Sequence, residues 1–311
     1  MPRLLQVTAI HPDSQARLSA SYDLLQTELA LVDAHWLATH AAAVDGIVTG
    51  GHLGVPSPLM VALPNLKVIA INGVGFDKVD LALARNRGVA VANSPDVLTD
   101  DVADLAVGLT IALLRRLREA EAHLRAGRWH SGDVPLATRV SGKRIGIFGL
   151  GRIGRAVARR FAGFTDHIAY ADIVRHDVSL AWYPEVAALA AHSDVLVISA
   201  AATKRTRRSI GAAVFDALGP SGVLVNVARG AIVDEPLLVD ALQAGRLGGA
   251  ALDVFEDEPN VPAALLAMEN VILTPHIASG TNETRRAMGE LMIDNLDACF
   301  AGQPIPTQVV L

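Results

Sequence analysis

Short strand-like runs recur at residues 4–9, 46–49, 68–71 and 89–92, and a second series, rich in continuous Val, Ile, Leu and Ala, follows at 144–148, 167–170, 195–199, 223–226, 249–252 and 271–273. The runs of the second series do not alternate polar with apolar positions, which predicts strands covered on both faces, as in parallel sheets. Helical candidates such as residues 14–26 and 79–87 separate them. The alternation of strand and helix predicts two successive α/β sheets.

Between the two series, residues 99–126 open with Thr99-Asp100-Asp101, run apolar at Val102, Leu105, Ala106, Leu109 and Leu113, and stop at Gly127. A capped start, an acidic first turn and a glycine stop predict one long amphipathic connector helix. Residues 281–300 predict a further helix ahead of Gly302-Gln303-Pro304, placed to return to the first sheet. No repeat or low-complexity tract interrupts this order.

Composition narrows the class. With 311 residues, 51% of them hydrophobic, the chain has material for two medium cores. The net charge of −5, with basic residues dispersed, gives no footprint for nucleic acid and no polybasic membrane patch. No stretch reaches the length of an uncharged apolar membrane span, and the N-terminal apolar run is too brief for a signal peptide. The single cysteine, Cys299, excludes an internal disulfide and reads as a helix packing position, which agrees with a reducing cytoplasm.

The first candidate chemistry is Gly149-Leu150-Gly151-Arg152-Ile153-Gly154, which follows the apolar run 144–148 and opens the helical stretch 155–161. Strand, glycine turn and helix in that order form a dinucleotide fingerprint. Gly149 permits the tight turn, Gly151 lets backbone amides approach a pyrophosphate, and Gly154 lets helix and strand pack closely. Asp172, at the end of the next strand, stands some 20 residues downstream, where a carboxylate meets the ribose hydroxyls. That carboxylate repels a 2′-phosphate and favours NAD over NADP, with Arg175 and His176 close enough in sequence to offset part of the repulsion.

Three more chemical residues fall at predicted strand ends, the edge where open α/β sheets hold ligands. Arg229 follows the run 223–226 as a fixed cation able to grip a carboxylate bidentately, although a surface arginine fits the pattern as well. His276 follows the run 271–273, and Glu258 follows the run 249–252. A carboxylate hydrogen-bonded to an imidazole stabilises its protonated form and raises its pKa from about 6.5, which makes a proton donor. Spacing alone leaves open whether the two meet.

At these residues the chain resembles the D-isomer-specific 2-hydroxyacid dehydrogenases, and among them the bacterial glyoxylate/hydroxypyruvate reductases. The resemblance covers nearly the whole chain. It rests on Asn72-Gly73-Val74-Gly75-Phe76-Asp77, Asn93-Ser94-Pro95-Asp96-Val97-Leu98, the glycine motif, Asn226-Val227-Ala228-Arg229-Gly230, the stretch from Leu252 to Pro259, and Thr274-Pro275-His276-Ile277-Ala278-Ser279. It implies two doubly wound parallel-sheet domains, Rossmann-like and flavodoxin-like, with a cleft between them. Residues 1–97 with 281–311 would form a discontinuous substrate-binding domain, and 98–280 the NAD(P)-binding domain.

The resemblance also implies roles: His276 as acid/base, Glu258 as its partner, and Arg229 on the keto-acid carboxylate and carbonyl. Leu53 and the Val74 and Gly75 amides would meet the substrate. Val102, Leu150, Arg152, Ile153, Thr206, Val227, Ala228, Asp253 and Ser279 would join the glycines and Asp172 around NAD or NADP, with Asp253 on the nicotinamide side. No metal is implied. The expected activity is NAD(P)H-dependent reduction of small 2-keto acids to D-2-hydroxy acids in a cytoplasmic homodimer assembled partly through residues 99–126 and Trp129.

Alternatives of the same fold are a dinucleotide-sensing corepressor and a dehydrogenase for a bulkier keto acid such as phenylpyruvate; formate dehydrogenases are set aside because they carry Gln where Glu258 stands. NADPH-preferring relatives tend to carry Ser, Thr or Asn followed by Arg where this chain has Asp172-Ile173. The basic run Lys204-Arg205-Thr206-Arg207-Arg208 reads as a solvated face, or as an arginine in reach of a 2′-phosphate.

Overall fold

The computed structural model describes residues 1–310 and divides into two compact units, Met1–Leu98 with Ser279–Leu311, and Thr99–Ala278. In the first, β1 (Arg3–Gln6), β2 (Asp23–Gln26), β3 (Gly46–Gly50), β4 (Val68–Asn72) and β5 (Ala90–Ala92) form a sheet in the order β2-β1-β3-β4-β5. All of its pairings are parallel. This is flavodoxin-like winding, with its switch point between β1 and β3.

Successive residues of these strands point to opposite faces. Leu5, Ile47 and Ile69 enter one core with Met60 and Leu63. Leu4, Val48, Val68 and Ala70 enter the other, which Met292, Ile293 and Leu296 of the C-terminal helix Asn282–Phe300 complete. Thr281 starts that helix by accepting a 3.1 Å hydrogen bond from the Thr284 amide. Cys299 lies partly buried on it, and burial pushes its thiol up.

The second unit contains β6 (Ile145–Phe148), β7 (Ile168–Ala171), β8 (Ala181–Tyr183), β9 (Val195–Ile198), β10 (Val223–Asn226), β11 (Gly249–Leu252) and β12 (Val271–Leu273). The order β12-β11-β10-β9-β6-β7-β8, again wholly parallel, is Rossmann winding with one extra strand, and the switch point lies between β6 and β9. The strands β9, β10 and β11 are buried along their whole length, as the uninterrupted apolar runs require. Phe215, Leu196, Leu224 and Leu238 centre the core.

Two sequence expectations are corrected. Residues 99–126 are two helices, Thr99–Leu114 and Leu117–Arg125, because Arg116 turns left-handed at φ 52° and the Leu114 carbonyl accepts from the Thr138 amide at 2.9 Å. Residues 14–26 are not one helix either. The helix Pro12–Ser21 ends where Tyr22 becomes extended, and Asp23–Gln26 pair with β1 as an edge strand. In both places a long-range hydrogen bond replaces the next helical turn.

Phe215 is fully buried in the second core. Phe215→Ala is expected to destabilise this unit by about 3–5 kcal/mol, lost transfer energy plus a cavity, and a lowered urea midpoint measures it.

Candidate active site

Because every strand of the larger sheet runs the same way, the loops after β6, β7, β10, β11 and β12 leave from one edge. The loop after β6 is the glycine motif. Gly149 has φ 94°, and a Cβ there would stand 2.5 Å from the Ala200 Cα. A Cβ on Gly154 would overlap the Gly149 carbonyl, which Ser199 Oγ also holds at 2.7 Å. Gly151 differs: its Cβ would meet nothing within 4 Å, and it begins the helix Arg152–Phe161 without a side-chain cap. Two glycines therefore fix the turn, and the third leaves open the space in front of the helix amides. That arrangement fits a dinucleotide pyrophosphate.

Asp172 lies directly after β7, and its carboxylate is turned onto the glycine loop. Oδ2 accepts from the Leu150 amide at 2.7 Å, and Oδ1 accepts from the Ile173 amide at 2.7 Å. His176 Nε2 approaches Oδ2 at 3.2 Å. The basic run 204–208 is partly committed: Arg208 forks onto Glu256 at 2.9 and 3.0 Å, and Arg207 lies 3.5 Å from it. Thr206 is buried with its hydroxyl given to Ala201 O at 2.7 Å, so its side chain shapes the turn. Val102 is buried in the helix Thr99–Leu114, whose Asp100 and Asp104 both pair with Arg160.

After β10, Asn226 staples its own loop. Its Nδ2 donates to Arg229 O at 3.0 Å, and its Oδ1 accepts from the Ala228 amide at 3.0 Å. Val227, Ala228 and Arg229 are thereby held in one conformation. Gly230 then lies so close to the Phe255–Glu256 backbone that any Cβ would overlap it. Arg229 is half-buried, with Nη1 on Ala228 O at 2.7 Å.

After β11 and β12 come the titratable groups. His276 Nδ1 donates to Glu258 Oε2 at 2.8 Å, and Glu258 Oε1 accepts from the Phe255 amide at 3.0 Å, so the carboxylate is itself oriented. The pairing that spacing left open is present. His276 has φ 52°, a left-handed backbone conformation uncommon for a residue that carries a Cβ.

The fully buried Asp253 holds that loop. Its Oδ1 accepts from Thr274 Oγ1 at 2.7 Å and from the Ile277 amide at 2.8 Å, and its Oδ2 accepts from the Ala278 amide at 2.9 Å. Its carbonyl accepts from the His276 amide at 2.8 Å. Burial holds this carboxyl above the usual range, and the three donors pull it back. The sequence carried no signal for this support role; for the Asn226 staple it did, as an asparagine at a strand end that bonds its own backbone two residues on.

In the first unit, the loops after β3 and β4 are locked together. A Cβ on Gly51 would stand 2.8 Å from the Gly75 carbonyl. Asn93 Nδ2 donates to Val74 O at 2.7 Å, and the Leu53 amide donates to Gly50 O at 3.1 Å. Leu53, Val74 and Gly75 therefore belong to one cluster of loops. Ser279 is half-buried and begins the returning segment of this unit.

Residues 107–278 match the family profile described as D-isomer specific 2-hydroxyacid dehydrogenase, NAD binding domain. A glyoxylate/hydroxypyruvate reductase A from Arabidopsis thaliana is 48% identical over 275 residues, 88% of each chain. A hydroxyphenylpyruvate reductase from Plectranthus scutellarioides is 49% identical over 276 residues, again 88% of each. Among solved structures, an NADPH-dependent glyoxylate/hydroxypyruvate reductase from Sinorhizobium meliloti, in complex with NADP and malonate, superposes with TM-score 0.92 at 44% identity, covering 99% of this chain and 97% of its own.

Replacing Asp253 by Asn sets an amide NH2 against the Ala278 amide, two donors face to face. Amide hydrogen exchange at Ile277 and Ala278 is expected to quicken by about tenfold or more as the loop loses this support, an outcome read by mass spectrometry.

Proposed function

The chain belongs to the D-isomer-specific 2-hydroxyacid dehydrogenase family, whose members are NAD(P)-dependent oxidoreductases, and from that premise we propose that it reduces small 2-keto acids such as glyoxylate and hydroxypyruvate to D-2-hydroxy acids. The observation that carries this reading is the 2.8 Å His276–Glu258 bond at the sheet edge that also bears Arg229 and the glycine turn.

A reduced nicotinamide supplies the hydride when bound. The chain's own residues do the rest. Arg229 holds the substrate carboxylate and polarises the carbonyl. With His276 Nδ1 committed to Glu258, the proton for the carbonyl oxygen comes from Nε2, and the Glu258 charge stabilises the imidazolium until it is delivered. Fixing the orientation of these groups before reaction removes much of the entropic barrier. The Val74 and Gly75 amides and Leu53 are assigned to the substrate. The glycine turn with Leu150, Arg152 and Ile153, together with Asp172, Val227, Ala228, Asp253 and Ser279, is assigned to the cofactor, and Val102 and Thr206 contribute to it by packing.

Asp172 supports NADH as the preferred cofactor, in contrast to the NADPH-dependent Sinorhizobium relative. A homodimer is supported by the apolar side chains that Leu117, Leu124, Trp129 and Leu136 leave exposed. A cytoplasmic setting is supported by the single cysteine, and among the described residues no helix is long and apolar enough to cross a membrane.

His276→Ala is expected to lower keto-acid reduction by about 10²-fold or more with NADH binding retained; near-normal turnover would remove His276 from the mechanism. Glu258→Gln keeps a hydrogen bond but removes the charge that stabilises the imidazolium, so a lower kcat for keto-acid reduction is expected with NADH binding retained. With native protein, NADH is expected to exceed NADPH in kcat/KM by about tenfold, roughly 1.4 kcal/mol. Assays of both cofactors over glyoxylate, hydroxypyruvate and phenylpyruvate test the reading as a whole, and dominance of phenylpyruvate would move the assignment to a bulkier substrate.

A further inference from the structure

Asp172 does not act at the ribose edge by itself. A carboxylate offers about four lone-pair sites, and three of those on Asp172 are taken, by the Leu150 amide, the Ile173 amide and His176 Nε2. The His176 contact is built into the loop. The buried Tyr170 phenol accepts from the His176 amide at 2.7 Å and donates to its carbonyl at 3.3 Å, and Trp182 Nε1 donates to the Asp172 carbonyl at 3.2 Å. Two side chains from β7 and β8 thus clamp the backbone on both sides of a five-residue turn and hold the imidazole against the carboxylate.

We propose that His176 is a specificity-determining residue that sets the choice between NADH and NADPH by its own protonation. The proposal rests on the reading that Asp172 meets the adenosine ribose. With His176 neutral, Asp172 presents a full negative charge, which favours ribose hydroxyls and repels a 2′-phosphate. With His176 protonated, the Asp172 charge is cancelled at 3.2 Å, which removes the repulsion and leaves the exposed Arg175 beside it as a cation for a phosphate. Of the side chains in this turn, the imidazole is the type whose two ring nitrogens can both become donors when it gains a proton.

Other ionisable groups bear on His176. Asp172 lies directly after β7 and the Tyr170 phenol is on it, Arg175 and Asp177 flank His176 in sequence, and from the helix Arg152–Phe161 Arg155 and Arg159 border Val178 and Leu180 just beyond.

The test is direct binding to ligand-free protein. Dissociation constants of NADPH and NADH are measured by fluorescence between about pH 5.5 and pH 8.5. The ratio Kd(NADPH)/Kd(NADH) is expected to fall by about tenfold or more from the alkaline to the acid end in the native chain, and by no more than about twofold in His176→Gln or His176→Asn. The 2′-phosphate itself loses charge near about pH 6, but it does so equally with every variant. Carbon-13 NMR of the native protein should place the His176 titration at the midpoint of the ratio. A flat native ratio, or an equal slope in both variants, overturns the proposal, and failure of both dinucleotides to bind overturns the cofactor assignment with it. Protein that shows the slope yet reduces no keto acid would refute the proposed activity alone.

Discussion

Parallel strands all finish at the same edge of a sheet, and most of the chemistry of this protein follows from that constraint. In the larger sheet the glycine turn, Asp172, Arg229, Asp253, Glu258 and His276 all lie just beyond strand ends, although they are spread over more than a hundred residues of sequence. Parallel strands need crossover connections, here mostly helical, and a right-handed crossover returns each strand to the same starting edge. The switch between β6 and β9 then opens a crevice at that edge beside the helix that begins at Gly151.

Holding loops still at such an edge requires buried polar groups, and two are used here. Asn226 satisfies its own loop through two short-range bonds. Asp253 does something costlier: it buries a carboxyl completely and recovers the desolvation through three donors that lie on either side of His276. The return is a histidine kept at φ 52° with its Nδ1 on Glu258. A local conformation that is unfavourable for histidine persists because the surrounding bonds overdetermine it.

The smaller sheet obeys the same rules with different content. Its two faces are packed by separate sets of alternating residues, one set closed by the C-terminal helix of the chain. In its loops after β3 and β4, Gly51 lies too close to the Gly75 carbonyl for a Cβ, and Gly54 lies too close to Lys78.

The buried strands, their parallel character and the glycine turn were legible in sequence, because each depends on neighbours a few residues apart: uninterrupted apolar runs for strands covered on both faces, and fixed glycine spacing for a turn that meets a helix. The His276–Glu258 contact, the Asp253 support, the Asp172–His176 pair and the break at Arg116 were decided only by tertiary structure. Each joins or answers to groups that local periodicity does not relate, as when the Leu114 carbonyl bonds Thr138 and ends a helix that its own sequence would have continued. The edge strand Asp23–Gln26 belongs with them, since its residues become a strand only by pairing with β1.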